Sequence, residues 1–349
     1  MRRLIALLLP LALYACAAFP AGERTSYVNP VLDDDFPDPA VLQAGGWYYA
    51  YATQGGSEGA ASNIQAARSR DLVAWERLPD VLPVKPAWAS KTQDFWAPHV
   101  HPADGRFFLY YSAKPDAALT DKDRGLCLAV AVAERPEGPF TDVGRPLQCG
   151  AGFVNIDPMA YDDPTTGKRL LYWGSGFGPI KVQELAADRT SFAAGSAPID
   201  LVLPVKTEDP NEYRRLIEGA WVTRRDGWHY LFYSGDNCCG PKAHYAALVA
   251  RSRSATGPFE APADRVVVER GGVWNAPGHN AIVQDRRGGH WIVYHAVDSR
   301  RPRAKPDAEI NTRRMMLLDR IVWKDGWPVL AAGGPSQAPQ PRPPALRGR

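Results

Sequence analysis

Five short stretches share one pattern of apolar and polar positions: Tyr48–Ala52, Phe107–Ser112, Leu170–Gly174, Tyr230–Ser234 and Trp291–His295. Each is too short for a stable helix, rich in aromatic and branched residues, and preceded by a turn, which is the pattern of a buried strand. The turns are Gly45-Gly46, Asp104-Gly105, Thr166-Gly167, Asp226-Gly227 and Gly288-Gly289. The late aromatic residues Tyr51, Tyr111, Trp173, Tyr233 and Tyr294 stand 60, 62, 60 and 61 residues apart. A repeat near 60 residues with about four strands per unit predicts an all-β, five-bladed β-propeller over residues 22–335. A pair of β-sandwiches is the alternative, and it would not require five evenly spaced copies. The early stretch Ser26–Val31 is expected to complete the last blade and close the ring. Residues 336–349, rich in Pro and Arg, read as a disordered tail.

Between 13 and 16 residues before each anchor lies the start of the preceding strand, which in a propeller lines the central channel. The residues there are Asp38, Trp96, Asp157, Glu218 and His279. Alone, each has an ordinary structural reading: Asp-Pro is a common turn pair, and a single Trp or His is usually core. Recurrence at equivalent points of five blades changes that reading, because it gathers three carboxylates, an indole and an imidazole at one end of one channel. Glycoside hydrolysis needs such a set: a proton donor for the leaving oxygen and a second carboxylate to activate water or attack the sugar. Glu218 has the more apolar frame (Leu216, Ile217, Ala220, Trp221), and desolvation raises a carboxyl pKa, as a general acid requires. Asp38 is then the candidate base. Asp157 is placed to hold Glu218 and raise its pKa by like-charge coupling. Trp96 offers a stacking surface for a sugar, and Phe36, Asn155 and Trp221 join it as expected sugar contacts.

Composition limits the alternatives. The net charge of +3 with no long basic run excludes a nucleic-acid partner. Gly and Pro, at 31 and 32 residues, suit many short strands and turns. Residues 1–21 read as a signal peptide, with Arg2 and Arg3 ahead of an apolar run and small residues at its end. Leu13-Tyr14-Ala15-Cys16 also resembles a bacterial lipoprotein signal, in which Cys16 would be lipidated and the chain tied to a membrane. The expectation is therefore an exported protein, periplasmic or extracellular. Four cysteines remain beyond the signal: Cys127, Cys149, Cys238 and Cys239. Their even number permits disulfides, and their spacing is poor for zinc.

Taken together, Asn29-Pro30-Val31-Leu32, Phe36-Pro37-Asp38-Pro39, Trp96-Ala97-Pro98, Ile156-Asp157-Pro158, Ile217-Glu218-Gly219, Gly278-His279-Asn280 and Arg314 through Trp327-Pro328 resemble glycoside hydrolase family 43. That family consists of five-bladed propellers acting on arabinose- and xylose-containing polysaccharides. The resemblance implies a base at Asp38, a pKa-modulating acid at Asp157, a general acid at Glu218, and inversion at the anomeric carbon. It implies that Arg314 approaches the sugar. It also implies a cation, often calcium, beside His279 in the channel, with no cofactor required for the chemistry. Tyr233 to Gly240, with its Cys238-Cys239 pair, resembles a loop of endo-arabinanases, which favours α-1,5-arabinan as the substrate. Arg313 departs from the Gly that many arabinofuranosidases and xylosidases have before the arginine. The other readings are a β-1,4-xylosidase, an exo-acting α-L-arabinofuranosidase, and a carbohydrate-binding propeller without turnover.

Overall fold

The computed structural model describes residues 25–55, 61–117, 125–302 and 312–347. The expected signal peptide and Cys16 lie outside them. Among the described residues, no helix is long and apolar enough to cross a membrane.

Each period of the repeat folds into its own antiparallel sheet, and five such sheets form the blades of a β-propeller. Blade one is Ala40–Ala44, Trp47–Ala52, Gln65–Ser69 and Trp75–Leu78, and blade three is Met159–Asp162, Arg169–Trp173, Ile180–Glu184 and Ile199–Val202. Blade four is Ile217–Arg225, Trp228–Asn237, His244–Ser252 and Val266–Val268, and blade five is Trp274–Gln284, His290–Asp298, Arg314–Lys324 and Trp327–Leu330. Blade two, opening with Phe95–Ala103 and Arg106–Ala113, carries one extra short strand at Thr141–Asp142. The five anchor aromatics sit on the second strands and are fully buried, so the residues that define the repeat are those that pack blade against blade. Cys127 and Cys149 are paired across adjacent strands and disulfide-bonded, and Cys238 is bonded to Cys239.

Two expectations are corrected. Blade five draws all four of its strands from residues 274–330, so Ser26–Val31 does not complete it as a strand. Ser26–Tyr27 pairs instead with Gln340–Pro341. The chain just beyond lies along the edge of Arg314–Lys324: the Val31 N–H donates to the Met316 carbonyl, and the Asn29 side chain bonds both the N–H and the carbonyl of Leu318. An amide thus does the pairing that a strand would have done. The tail is also not disordered over residues 336–347. Ser336 is buried and accepts from Asn29, Arg342 pairs with Asp71, and the Leu346 N–H donates to the Arg70 carbonyl. Pro and Arg dominate its composition, but a few well-spaced side chains dock it.

Candidate active site

The innermost strands enter the top of the channel through one unusual backbone position per blade. Asp38, Ala97, Asp157, Gly219 and His279 all have φ between 46° and 66°, the left-handed region that costs residues bearing a Cβ. A backbone N–H at this point turns away from its own ladder and needs another acceptor. The preceding blade supplies it. Ala97 N–H donates to Thr53 Oγ1, Asp157 N–H to Ser112 Oγ, His279 N–H to Ser234 Oγ and Asp38 N–H to His295 Nδ1. The exception is the step from blade three to blade four. Gly174 stands there, with φ at 144°, and a Cβ on it would lie 2.4 Å from the Pro179 carbonyl oxygen. With no side chain to accept it, the Gly219 N–H donates instead to Asp157 Oδ2, at 2.9 Å. One missing side chain thus fixes the carboxyl of Asp157 against the strand that carries Glu218.

This ring corrects the sequence register. Asp38, Asp157 and His279 occupy equivalent positions, whereas Trp96 and Glu218 stand one residue before theirs. They therefore leave the strand in a different direction, although all five remain at the same end of the channel.

The three carboxyls are all buried and differently held. Asp38 Oδ1 receives Arg314 at 3.0 Å, and Oδ2 receives the hydroxyl of Thr53. Burial alone would raise its pKa, but the Arg314 guanidinium, with His279 and His295, outweighs burial and holds it well below the ordinary carboxylate value. Glu218 Oε1 accepts from Tyr245 at 2.8 Å and Oε2 from Ser175 at 3.1 Å. Burial pushes its pKa up to about 7, against those two hydrogen bonds. Asp157 is displaced upward by burial and by the charges of Glu218 and Asp38. His295 Nδ1 lies against Asp38, 3.1 Å from its backbone nitrogen and 3.3 Å from Oδ1, and burial lowers the His295 pKa to about 4. Its ring stacks on Tyr245, 5.7 Å between centroids and 6° from parallel. Asp38 and Glu218 therefore share a wall.

The other expected residues divide. Arg314 is at the site through Asp38. His279 Nδ1 lies 3.4 Å from Asp38 Oδ1 and 3.8 Å from Asp157 Oδ2. Trp96 is half-buried at the entrance. Trp221 is buried in the apolar core, edge-on to His99 at 5.3 Å. Phe36 and Asn155 are corrected. Phe36 has no accessible surface and lies under the Arg77 guanidinium. Asn155 is 2% exposed, packed beneath Gly150 and bonded to Gln148. Sequence reasoning missed Thr53, Ser175, Tyr245 and His295. A signal for two of them existed: Thr53, Ser112, Gly174, Ser234 and His295 recur just after the anchors, small or polar at the period of the repeat. Tyr245, in an apolar strand, carried none.

Calcium takes six to eight oxygen ligands. The carboxylates beside His279 are already committed to Arg314, Thr53 and Gly219. Among the described residues no group of three His, Cys, Asp or Glu side chains is placed to hold a metal ion.

Known proteins resemble this chain in sequence and in fold. The sequence profile described as glycosyl hydrolases family 43 matches residues 27–328. A beta-D-galactofuranosidase of Aspergillus niger is 26% identical, over 88% of this chain and 85% of its own. An extracellular endo-alpha-(1->5)-L-arabinanase of Bacillus subtilis is 26% identical, over 83% and 86%. Among solved structures, a thermostable family-43 glycoside hydrolase superposes with a TM-score of 0.74 at 26% identity, covering 91% of this chain and 99% of that one.

Proposed function

Because the chain belongs to glycosyl hydrolases family 43, we propose that it is an inverting hydrolase of α-L-arabinofuranosyl linkages in plant cell-wall polysaccharide, with α-1,5-arabinan the favoured substrate. The observation that carries this reading is that two buried carboxyls at one end of the channel are held differently, Asp38 by the Arg314 guanidinium and Glu218 by the neutral hydroxyls of Tyr245 and Ser175. Asp38 is held ionised by Arg314, and Glu218 is held protonated by burial up to about pH 7. Pairs pushed apart in this way divide into base and acid. Glu218 gives its proton to the glycosidic oxygen as the bond to the anomeric carbon breaks. Asp38 takes a proton from the water that attacks the opposite face, so the product sugar is inverted. Tyr245 and Ser175 then donate to the carboxylate left on Glu218. Asp157, buried beside it, is pushed toward its neutral form by burial and by the charge of Glu218, and its Oδ2 accepts the Gly219 N–H, which positions the strand that carries Glu218.

Trp96 supports binding of a sugar ring at the entrance. The substrate class is supported by two relatives whose names describe furanoside hydrolases, one of them an endo-arabinanase. A polymeric substrate and the signal-like residues 1–21 together favour export.

The test is a product profile on linear α-1,5-arabinan, 4-nitrophenyl α-L-arabinofuranoside and 4-nitrophenyl β-D-xyloside, with the first-formed anomer read by proton NMR. Arabino-oligosaccharides of inverted configuration are expected. Hydrolysis of the xyloside with arabinan untouched would move the substrate to xylan. Glu218→Gln and Asp38→Asn should each lose roughly 10²–10⁴-fold in kcat, the usual contribution of a positioned acid or base. Full activity in either would end this mechanism.

A further inference from the structure

The acid and the base are held from opposite sides of the ring. Asp38 is fixed by Thr53 of blade one and by Arg314 and His295 of blade five, whereas Glu218 is fixed by Ser175 at the end of blade three and by Tyr245 of blade four. The attacking water belongs on the Asp38 side and the departing group on the Glu218 side. The loop that supplies Ser175 continues as Gly176-Phe177-Gly178 onto the rim. Phe177 is 65% exposed, and it is the one aromatic side chain among the exposed large hydrophobics of the described residues. Its φ is 61°. A bulky side chain in that region is unfavourable and persists where function or surroundings demand it. Its ring meets Phe153 edge to face, 5.8 Å between centroids. The two loops interlock, since a Cβ on Gly176 would lie 2.5 Å from Val154. The loop bearing Phe153 and Val154 leads directly into Asp157. An apolar ring pair is therefore fastened at one end to the proton donor and at the other to the acid beside it, with a ring left open to solvent.

We propose that Phe177, backed by Phe153, is the binding surface for the leaving-group sugar, the glycosyl residue on the far side of the cleaved bond. This rests on Glu218 as the proton donor. An exposed aromatic face takes the C–H face of a sugar ring, and its position on the donor's side assigns it to the half of the substrate that departs. The structure gives this rim loop two tasks: Ser175 holds the acid, and Phe177 holds the group the acid protonates.

The experiment compares the wild-type enzyme with Phe177→Ala on two substrates of one sugar: 1,5-linked arabinobiose and arabinofuranosyl fluoride. Should the wild type prefer xylosides, the pair becomes xylobiose and xylosyl fluoride. The fluoride leaves as an ion with no ring to stack. We expect Phe177→Ala to lose roughly tenfold more kcat/KM on the disaccharide than on the fluoride, as for one lost ring contact. Phe177→Trp should restore most of the difference. Equal losses on both substrates would show that Phe177 only holds Ser175, and through it Glu218, and would overturn the proposal. No loss on either would overturn it too. Glu218→Gln, assayed in parallel on the disaccharide, whose leaving oxygen needs the proton, separates the two readings. If it keeps full turnover, the acid assignment falls and this proposal with it. If it is inactive and the Phe177→Ala losses are equal, the proposal falls alone.

Discussion

At the scale of single residues, Glu218 is governed by two opposed effects. Burial raises its pKa to about 7, and the hydrogen bonds from Tyr245 and Ser175 act against that by stabilising its carboxylate. The mechanism proposed needs Glu218 protonated, so activity is expected to fall as pH rises through about 7. It also needs Asp38 ionised, so activity falls on the acid side only as pH drops to the lowered pKa of Asp38. A plateau that reaches below the ordinary carboxylate range on the acid side and up to about 7 on the alkaline side is expected in kcat/KM, with both groups read in the free enzyme. Tyr245→Phe keeps the ring against His295 and removes only the donated hydrogen bond. The carboxylate form of Glu218 then loses support, so the alkaline limb moves to higher pH while the acid limb stays. A hydrogen bond to a charged group is worth about 1.5–3 kcal/mol, so kcat should fall roughly 10- to 100-fold as Glu218 gives up its proton less readily. A pH–rate profile of the variant decides this. An unmoved alkaline limb would remove Tyr245 from any positioning role.

At the scale of elements, the recurring unit is the latch between one blade's second strand and the next blade's left-handed turn. Thr53 is the latch that also touches chemistry: its hydroxyl accepts from Ala97 N–H and donates to Asp38. Thr53→Val is nearly isosteric and breaks both bonds. Leaving a buried N–H without a partner costs about 1–3 kcal/mol, which thermal denaturation would register, and kcat/KM should fall with it because one oxygen of Asp38 is freed. Normal stability with normal kinetics would leave the latch without consequence. The repeat was legible in sequence because its anchors are large, buried and evenly spaced, so the blade count and the end of the channel followed. The register of the inner strands was less legible. Asp38, Asp157 and His279 lie on equivalent turns, but Trp96 and Glu218 precede theirs by one. A spacing that varies from 13 to 16 residues cannot reveal which residue takes positive φ. Phe36 and Asn155 were misplaced for a related reason: adjacency to a catalytic acid in sequence does not tell which face of the turn a side chain takes, and both turned inward.

At the scale of the whole molecule, five blades drawn from contiguous chain leave the ring to be closed by packing and by whatever crosses the seam between blades five and one. The two ends of the described chain dock together along blade five, and Arg342 and Leu346 carry the tail on to Asp71 and Arg70 of blade one. Tyr27 donates its hydroxyl to the Leu318 carbonyl, and Asn29 bridges Leu318, Asp319 and Ser336. The Trp274 indole N–H donates to the Ser336 carbonyl. Gln340–Pro341 then pairs back onto Ser26–Tyr27. The composition of the tail hid this, because docking depends on a few residues whose partners stand some 300 positions earlier in the chain, as with Ser336 and Asn29. Removing residues 336–349 would leave the Asn29 amide, the Trp274 N–H and the buried Asp319 carboxyl short of partners, each worth about 1–3 kcal/mol when buried. In a chain this long a loss of 1 kcal/mol lowers Tm by roughly 2 °C, so the truncated protein should melt at least about 5 °C lower. Ser336→Ala, which removes only the hydroxyl, should account for a minor part of that. None of these contacts touches Asp38, Asp157 or Glu218 directly, and the link to the active site is Arg314, which shares a strand with Leu318. Turnover below the melting range should therefore change much less than Tm. An unchanged Tm on truncation would mean that the blades close the ring unaided and that the tail only rests on them.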